Sequence, residues 1–160
     1  GKYEESVQKM LEANCELGNH SYSHTQLTKL DEKQIQNEIQ STNKAIRKAS
    51  GQPATVLRPP YGAVNDLVKE SVGMPMIMWS DDTLDWKFKN AQNTIDSVLK
   101  NVQDGDIILM HDIHSSSVDA AIQLIPMLQQ RGFQLVTVSE LADARDMSLQ
   151  NGGQYYGFQK

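Results

Sequence analysis

The chain has 160 residues, about the size of one domain and long enough to bury a core. Hydrophobic residues make up 39% and charged residues 22%, which excludes a disordered segment and points to a folded globular domain. The formal net charge of -5, with no cluster of Lys and Arg, argues against nucleic acid as a partner.

No apolar run reaches the ~18 residues that a membrane-spanning helix needs, and residues 1–20 lack the apolar core of a secretory signal. No membrane contact is therefore expected from this segment. Cys15 is the only cysteine, which excludes an intrachain disulfide and a cysteine-based zinc site. At the end of the helical pattern KYEESVQKMLEANC it is expected to be a buried small hydrophobe.

Val7, Met10, Leu11 and Cys15 recur at helical spacing, so residues 3–15 read as an amphipathic helix. A short strand over ELGNHS follows, then a long helix whose stripe is Leu30, Ile35, Ile39, Thr42 and Ile46. Asp31 is its expected N-cap and Gly51 its stop. The alternation continues: TVLRPP as strand, AVNDLVKESV as helix, MPMIMWS as strand, NAQNTIDSVLKNV as helix. DIILMHD reads as a buried strand, SVDAAIQLIPMLQQRG as a helix broken or kinked near Pro126, and FQLVTVSEL as the last strand. The polar tail SLQNGGQYYGFQK is expected to be a loosely packed extension. Strands alternating with helices imply an α/β fold with a parallel sheet, open or closed into a barrel.

Such folds gather their sites at the carboxyl ends of the strands. His20 and His24, Arg58 and Tyr61, Asp82 and Asp85, and His111 with Asp112 and His114 all follow expected strands, which predicts that they converge on one cleft. Two histidines four apart can reach one divalent ion, although such a pair also fits surface or capping positions. RPPYG is a rigid turn that can present a guanidinium and backbone N–H groups, and an Arg there usually needs a carboxylate partner. A carboxylate from residues 81–85 could hold His111 in its protonated form, which suits a general acid. A core histidine satisfied by a hydrogen bond is the alternative.

In this order and spacing the four stretches resemble the polysaccharide deacetylase family, the NodB-homology domain or carbohydrate esterase family 4. HSYSH is similar to its H-S/T-x-x-H zinc motif, RPPYG to its arginine motif, DTLDW to D-x-x-D-W, and LMH to L-x-H. WSDDTLDW and LMHDIH look most like streptococcal peptidoglycan N-acetylglucosamine deacetylases. The resemblance covers about residues 15–142 and implies a distorted (β/α) barrel that removes an N-acetyl group from a glycan. It implies that His20 and His24 ligate zinc, with cobalt or another divalent ion as alternatives. It further implies that Arg58 orients the catalytic base and that the Tyr61 N–H helps hold the oxyanion. Asp85 would tune His111, the general acid, while Trp86 and Leu109 would wall the pocket for the acetyl methyl.

The family's T-F-D-D motif, which carries the base and a third zinc ligand on the first strand, does not occur in these residues. The barrel is accordingly expected to be incomplete, and the chain inactive alone. Residues 1–145 would be the C-terminal portion of the catalytic domain and 146–160 a polar extension. The expected partners are a glycan, peptidoglycan, and the N-terminal piece of the same protein as a separate chain. The resemblance also implies a location outside the cytoplasm or in the cell envelope, with anchoring through an N-terminal segment. Chitin oligomers or acetylated xylan are alternative substrates, and a non-catalytic carbohydrate-binding remnant is the alternative from another class.

Overall fold

The computed structural model describes residues 3–159. In chain order the elements are α1 (Glu4–Glu12), β1 (Gly18–Asn19), α2 (Glu32–Ser50), β2 (Val56–Leu57), α3 (Asp66–Ser71), β3 (Met76–Ile77), β4 (Asp81–Asp82), α4 (Asp85–Phe88), α5 (Ala91–Asn101), β5 (Ile108–Leu109), α6 (Ser115–Gln130), α7 (Val138–Asp143) and β6 (Gln154–Tyr155). They fall into two compact units. One runs to Met78 and includes Thr137–Tyr155; the other holds Trp79–Val136 and the residues from Tyr156 on.

The first unit is built on a four-stranded parallel sheet in the order β1-β2-β3-β6. Its register places Asn19 opposite Leu57, so His20 and Arg58 leave adjacent strands side by side. Helix α2 packs on this sheet through Ile35 and Ile39, both buried in a core with Leu27, Leu57, Val68 and Met76. Its ends are set locally, as expected. Asp31 and Gln34 form a reciprocal capping box, and Gly51 at φ 76° turns the chain out.

The second unit holds a two-stranded parallel sheet, with Asp81 opposite Ile108 and Asp82 opposite Leu109. Helices α5 and α6 bury Ile95, Val98, Ala120, Leu124 and Leu128 against each other. Helix α6 continues through Pro126 without a break. None of the described helices is long and apolar enough to cross a membrane.

Three expectations are corrected. Cys15 is exposed, because α1 stops at Glu12 and Asn14, at φ 57°, swings the chain off the helical stripe. FQLVTVSEL is not a strand. Residues 133–137 have no ladder partner among the described residues, and Thr137 and Glu140 close a capping box that starts α7. The T-x-x-E signature for a helix start was present in the sequence and outweighs the apolar alternation once no neighbouring strand pairs with it.

The tail is not loosely packed either. Gln154 and Tyr155 extend the first sheet beside Met76 and Ile77, and Phe158 is buried in the second unit. Gly152, at φ 76°, permits this approach, since a Cβ there would lie 2.6 Å from the Lys69 carbonyl oxygen.

Candidate active site

The predicted residues form two groups, each within one unit. In the first unit, His20 follows β1 and Arg58 follows β2, and the parallel register brings the His20 ring to the Arg58 backbone. Nδ1 lies 2.6 Å from the Arg58 carbonyl oxygen. A carbonyl only accepts, so Nδ1 carries the proton and Nε2 carries the lone pair, the tautomer a metal ligand needs. The His24 ring stands edge-on to that of His20 at 4.9 Å between centroids, and to that of Tyr61 at 4.9 Å. Ser21, His24 and Tyr61 all hold left-handed backbone, at φ 62°, 58° and 61°. Non-glycine residues adopt that region at a cost, and such strain clusters at functional sites.

The Arg58 guanidinium donates from Nε to the Ile77 carbonyl oxygen and from an Nη to that of Met78, both at 3.1 Å. Burial pulls its pKa below the ordinary arginine value. Among the described residues no carboxylate pairs with it. Carbonyl dipoles hold the cation, in a place where an anion would be favoured.

In the second unit, Asp85 and His111 form one hydrogen-bonded pair. The carboxylate accepts from His111 Nδ1 at 2.8 Å, from the His111 backbone N–H at 2.7 Å and from the Trp86 N–H at 2.8 Å. Asp85 is 1% exposed at the side chain and His111 35%. Burial pushes the Asp85 pKa up, but the neighbouring Ser117 hydroxyl and the His111 contacts together hold it below the ordinary aspartate value. The buried Ser117 Oγ does so without reaching full hydrogen-bonding geometry.

Thr83 supports the turn between them, donating to the Leu109 carbonyl oxygen at 2.8 Å and accepting from the Asp85 N–H at 3.3 Å. Asp82, expected just after a strand, lies within one instead, since Asp81 and Asp82 form β4. Leu109 is buried and Trp86 is 47% exposed. Asp112 is exposed and His114 half-buried at the start of α6, where its side chain makes no capping bond.

Two imidazoles on one loop fit two positions of an open catalytic metal site, which ordinarily has three protein ligands. No group of three His, Cys, Asp or Glu side chains able to hold an ion is present among the described residues.

A sequence model of the family described as polysaccharide deacetylase matches residues 1–77. The solved structure of peptidoglycan deacetylase PdaC from Bacillus subtilis superposes with a TM-score of 0.88 at 41% identity, over 91% of this chain and 72% of that one. This chain belongs to the polysaccharide deacetylase family. The peptidoglycan-N-acetylglucosamine deacetylase PgdA of Listeria monocytogenes is 41% identical over 150 residues, 94% of this chain and 32% of that protein. A family 4 acetyl xylan esterase from Clostridium thermocellum, solved with a cobalt ion, gives a TM-score of 0.92 at 25% identity, over 99% of this chain and 80% of that one. The chain spans about a third of the length of the curated PgdA relative it matches.

As a polysaccharide deacetylase domain, the chain presents its motif residues on a support that sequence reading missed. Asn19 donates to the Ile39 carbonyl oxygen at 3.0 Å and to Asn43 at 2.8 Å. Glu38, on α2, accepts from the Tyr22 and Ser23 N–H groups. The one available signal for Glu38 was a carboxylate beside the buried stripe of Ile35, Ile39 and Thr42, an awkward place for a charge without a partner.

Proposed function

We propose that the chain is the C-terminal portion of a metal-dependent deacetylase that hydrolyses the N-acetyl group of N-acetylglucosamine residues in peptidoglycan. The observation that carries this reading is the buried Asp85 carboxylate gripping both Nδ1 and the backbone N–H of His111. A protein that only binds sugar has no use for a histidine held in that way. The relatives named for peptidoglycan favour that polymer, and the acetyl xylan esterase makes acetylated xylan the second candidate.

His20 and His24 would hold the ion, zinc or cobalt. When bound, it supplies Lewis acidity toward the amide carbonyl and toward water. Asp85, as the anion, requires a proton on His111 Nδ1, so in the imidazolium form His111 has its Nε2–H left to give to the departing amine. Asp85 stabilises that cation and fixes the ring. The Tyr61 N–H would help stabilise the oxyanion, with Trp86 and Leu109 enclosing the acetyl methyl. Arg58 presents a guanidinium to the catalytic base, whose carboxylate would supply the partner that Arg58 lacks among the described residues.

That base and the third metal ligand are assigned to the two Asp of a T-F-D-D segment outside residues 1–160, in the same polypeptide or as a separate piece of it. Residues 1–160 alone are then inactive. A peptidoglycan substrate puts the working protein outside the cytoplasm or in the cell envelope, anchored through an N-terminal segment.

Acetate release from peptidoglycan, chitin oligomers and acetylated xylan, with and without the T-F-D-D segment and with the metal removed and restored, tests the reading. Metal-dependent release from peptidoglycan at glucosamine positions, seen in digested muropeptides by mass spectrometry, is expected. Release from xylan alone, or release unaffected by chelation, overturns it.

A further inference from the structure

We infer that Glu38 is a positioning residue that holds the His20–His24 loop in its ligating shape; this rests on the reading of those two histidines as metal ligands. The loop is strained, with Ser21 and His24 in left-handed backbone at φ 62° and 58°. Such residues are costly and persist only where their surroundings over-determine them.

Glu38 supplies that constraint. One carboxylate oxygen accepts from the Tyr22 N–H at 2.9 Å and the Ser23 N–H at 2.7 Å, and the other accepts from Ser23 Oγ at 2.9 Å. Two successive N–H groups turned to one side make a small anion-binding concavity, and the carboxylate fills it. Ser21 Oγ then accepts from the His24 N–H at 3.0 Å, which passes the constraint to the second histidine.

Glu38 is itself fixed, because α2 is capped at its start and anchored by buried Ile35 and Ile39. The next residue, Ile39, accepts the Asn19 side chain just before His20. Consecutive residues of one helical turn therefore grip the chain before and within the span of the histidine pair. The ligands are ordered before any ion arrives, so binding the ion does not have to order the loop.

In the full-length protein, Co²⁺ titration followed by its visible absorption reads the site without any turnover. Glu38→Ala is expected to weaken Co²⁺ binding by about 10–100-fold, as loss of support behind a ligand typically does. Glu38→Gln, which keeps one acceptor oxygen, should fall between it and wild type, and it serves if the alanine variant does not fold. In the metal-free protein, the Tyr22 and Ser23 amides should exchange hydrogen at least 10-fold faster in either variant. Wild-type Co²⁺ affinity and spectrum in both variants, even with a lowered melting temperature, would mean that Glu38 supports the fold only and would overturn the inference. Wild-type Co²⁺ binding that His20→Ala leaves unchanged would instead overturn the metal reading itself.

Discussion

The Asp85 carboxylate meets His111 twice, at the ring Nδ1 and at the backbone N–H, at 2.8 and 2.7 Å. The backbone contact fixes where the residue sits, and the ring contact fixes which nitrogen faces outward. One buried anion thereby sets both position and tautomer.

On the proposed mechanism His111 acts on the leaving group, so His111→Ala in the full-length enzyme should lower kcat by about 10²–10⁴-fold. Asp85→Asn should lower kcat in the same direction, since an amide neither demands the Nδ1 proton nor stabilises the imidazolium. Metal affinity should stay within about 3-fold of wild type in both. Steady-state kinetics beside metal titration checks this, and a parallel loss of metal binding would remove His111 from the acid role.

Acid stability should depend on Asp85. Its folded-state pKa lies below the ordinary aspartate value of 3.8, so the unfolded chain binds more protons in the interval between the two. The stability it contributes is complete above 3.8 and is lost as pH falls through the folded-state pKa. Urea unfolding at a series of pH values should show a steeper acid loss for wild type than for Asp85→Asn. Equal slopes would contradict the assignment.

Asp81 should behave in the opposite way. Burial, then the charges of Asp106 and Asp82, raise its pKa above 3.8, and its Oδ2 is buried with no hydrogen-bond partner among the described residues. Its native carboxylate is penalised once ionised, so the penalty is absent below 3.8 and complete above the folded-state pKa. Asp81→Asn is expected to stabilise the protein at pH 7 by about 1 kcal/mol, with the gain vanishing in acid. A loss of stability at neutral pH would show that the charge has a partner role.

Gly152→Ala should destabilise by about 1–3 kcal/mol. The added Cβ would meet the Lys69 carbonyl oxygen at 2.6 Å, and φ 76° disfavours any side chain. Chemical denaturation measures it. A change smaller than about 0.5 kcal/mol would mean that the β6 edge adapts at little cost.

Local patterns determined much of this protein. The α2 stripe, its Asp31 cap and its Gly51 stop were all readable, because helix ends and amphipathic faces are encoded by residues a turn apart. Alternation of strands and helices pointed to parallel pairing, and the motif stretches placed His20, Arg58, Asp85 and His111 after strands.

Tertiary structure decided what depends on distant partners. Residues 133–137 carry a strand-like pattern yet have no ladder partner among the described residues, since a strand exists only against a neighbour, while the local Thr137–Glu140 capping box needs none. The polar tail becomes β6 because β3 offers it a ladder, which no property of the tail announces. Glu38 lies 15 residues from Ser23, and only packing of α2 on the first sheet brings its carboxylate under the histidine loop. The residue types for the chemistry could be read along the chain. Their tautomers, charges and supports come from hydrogen bonds between segments that only folding brings together.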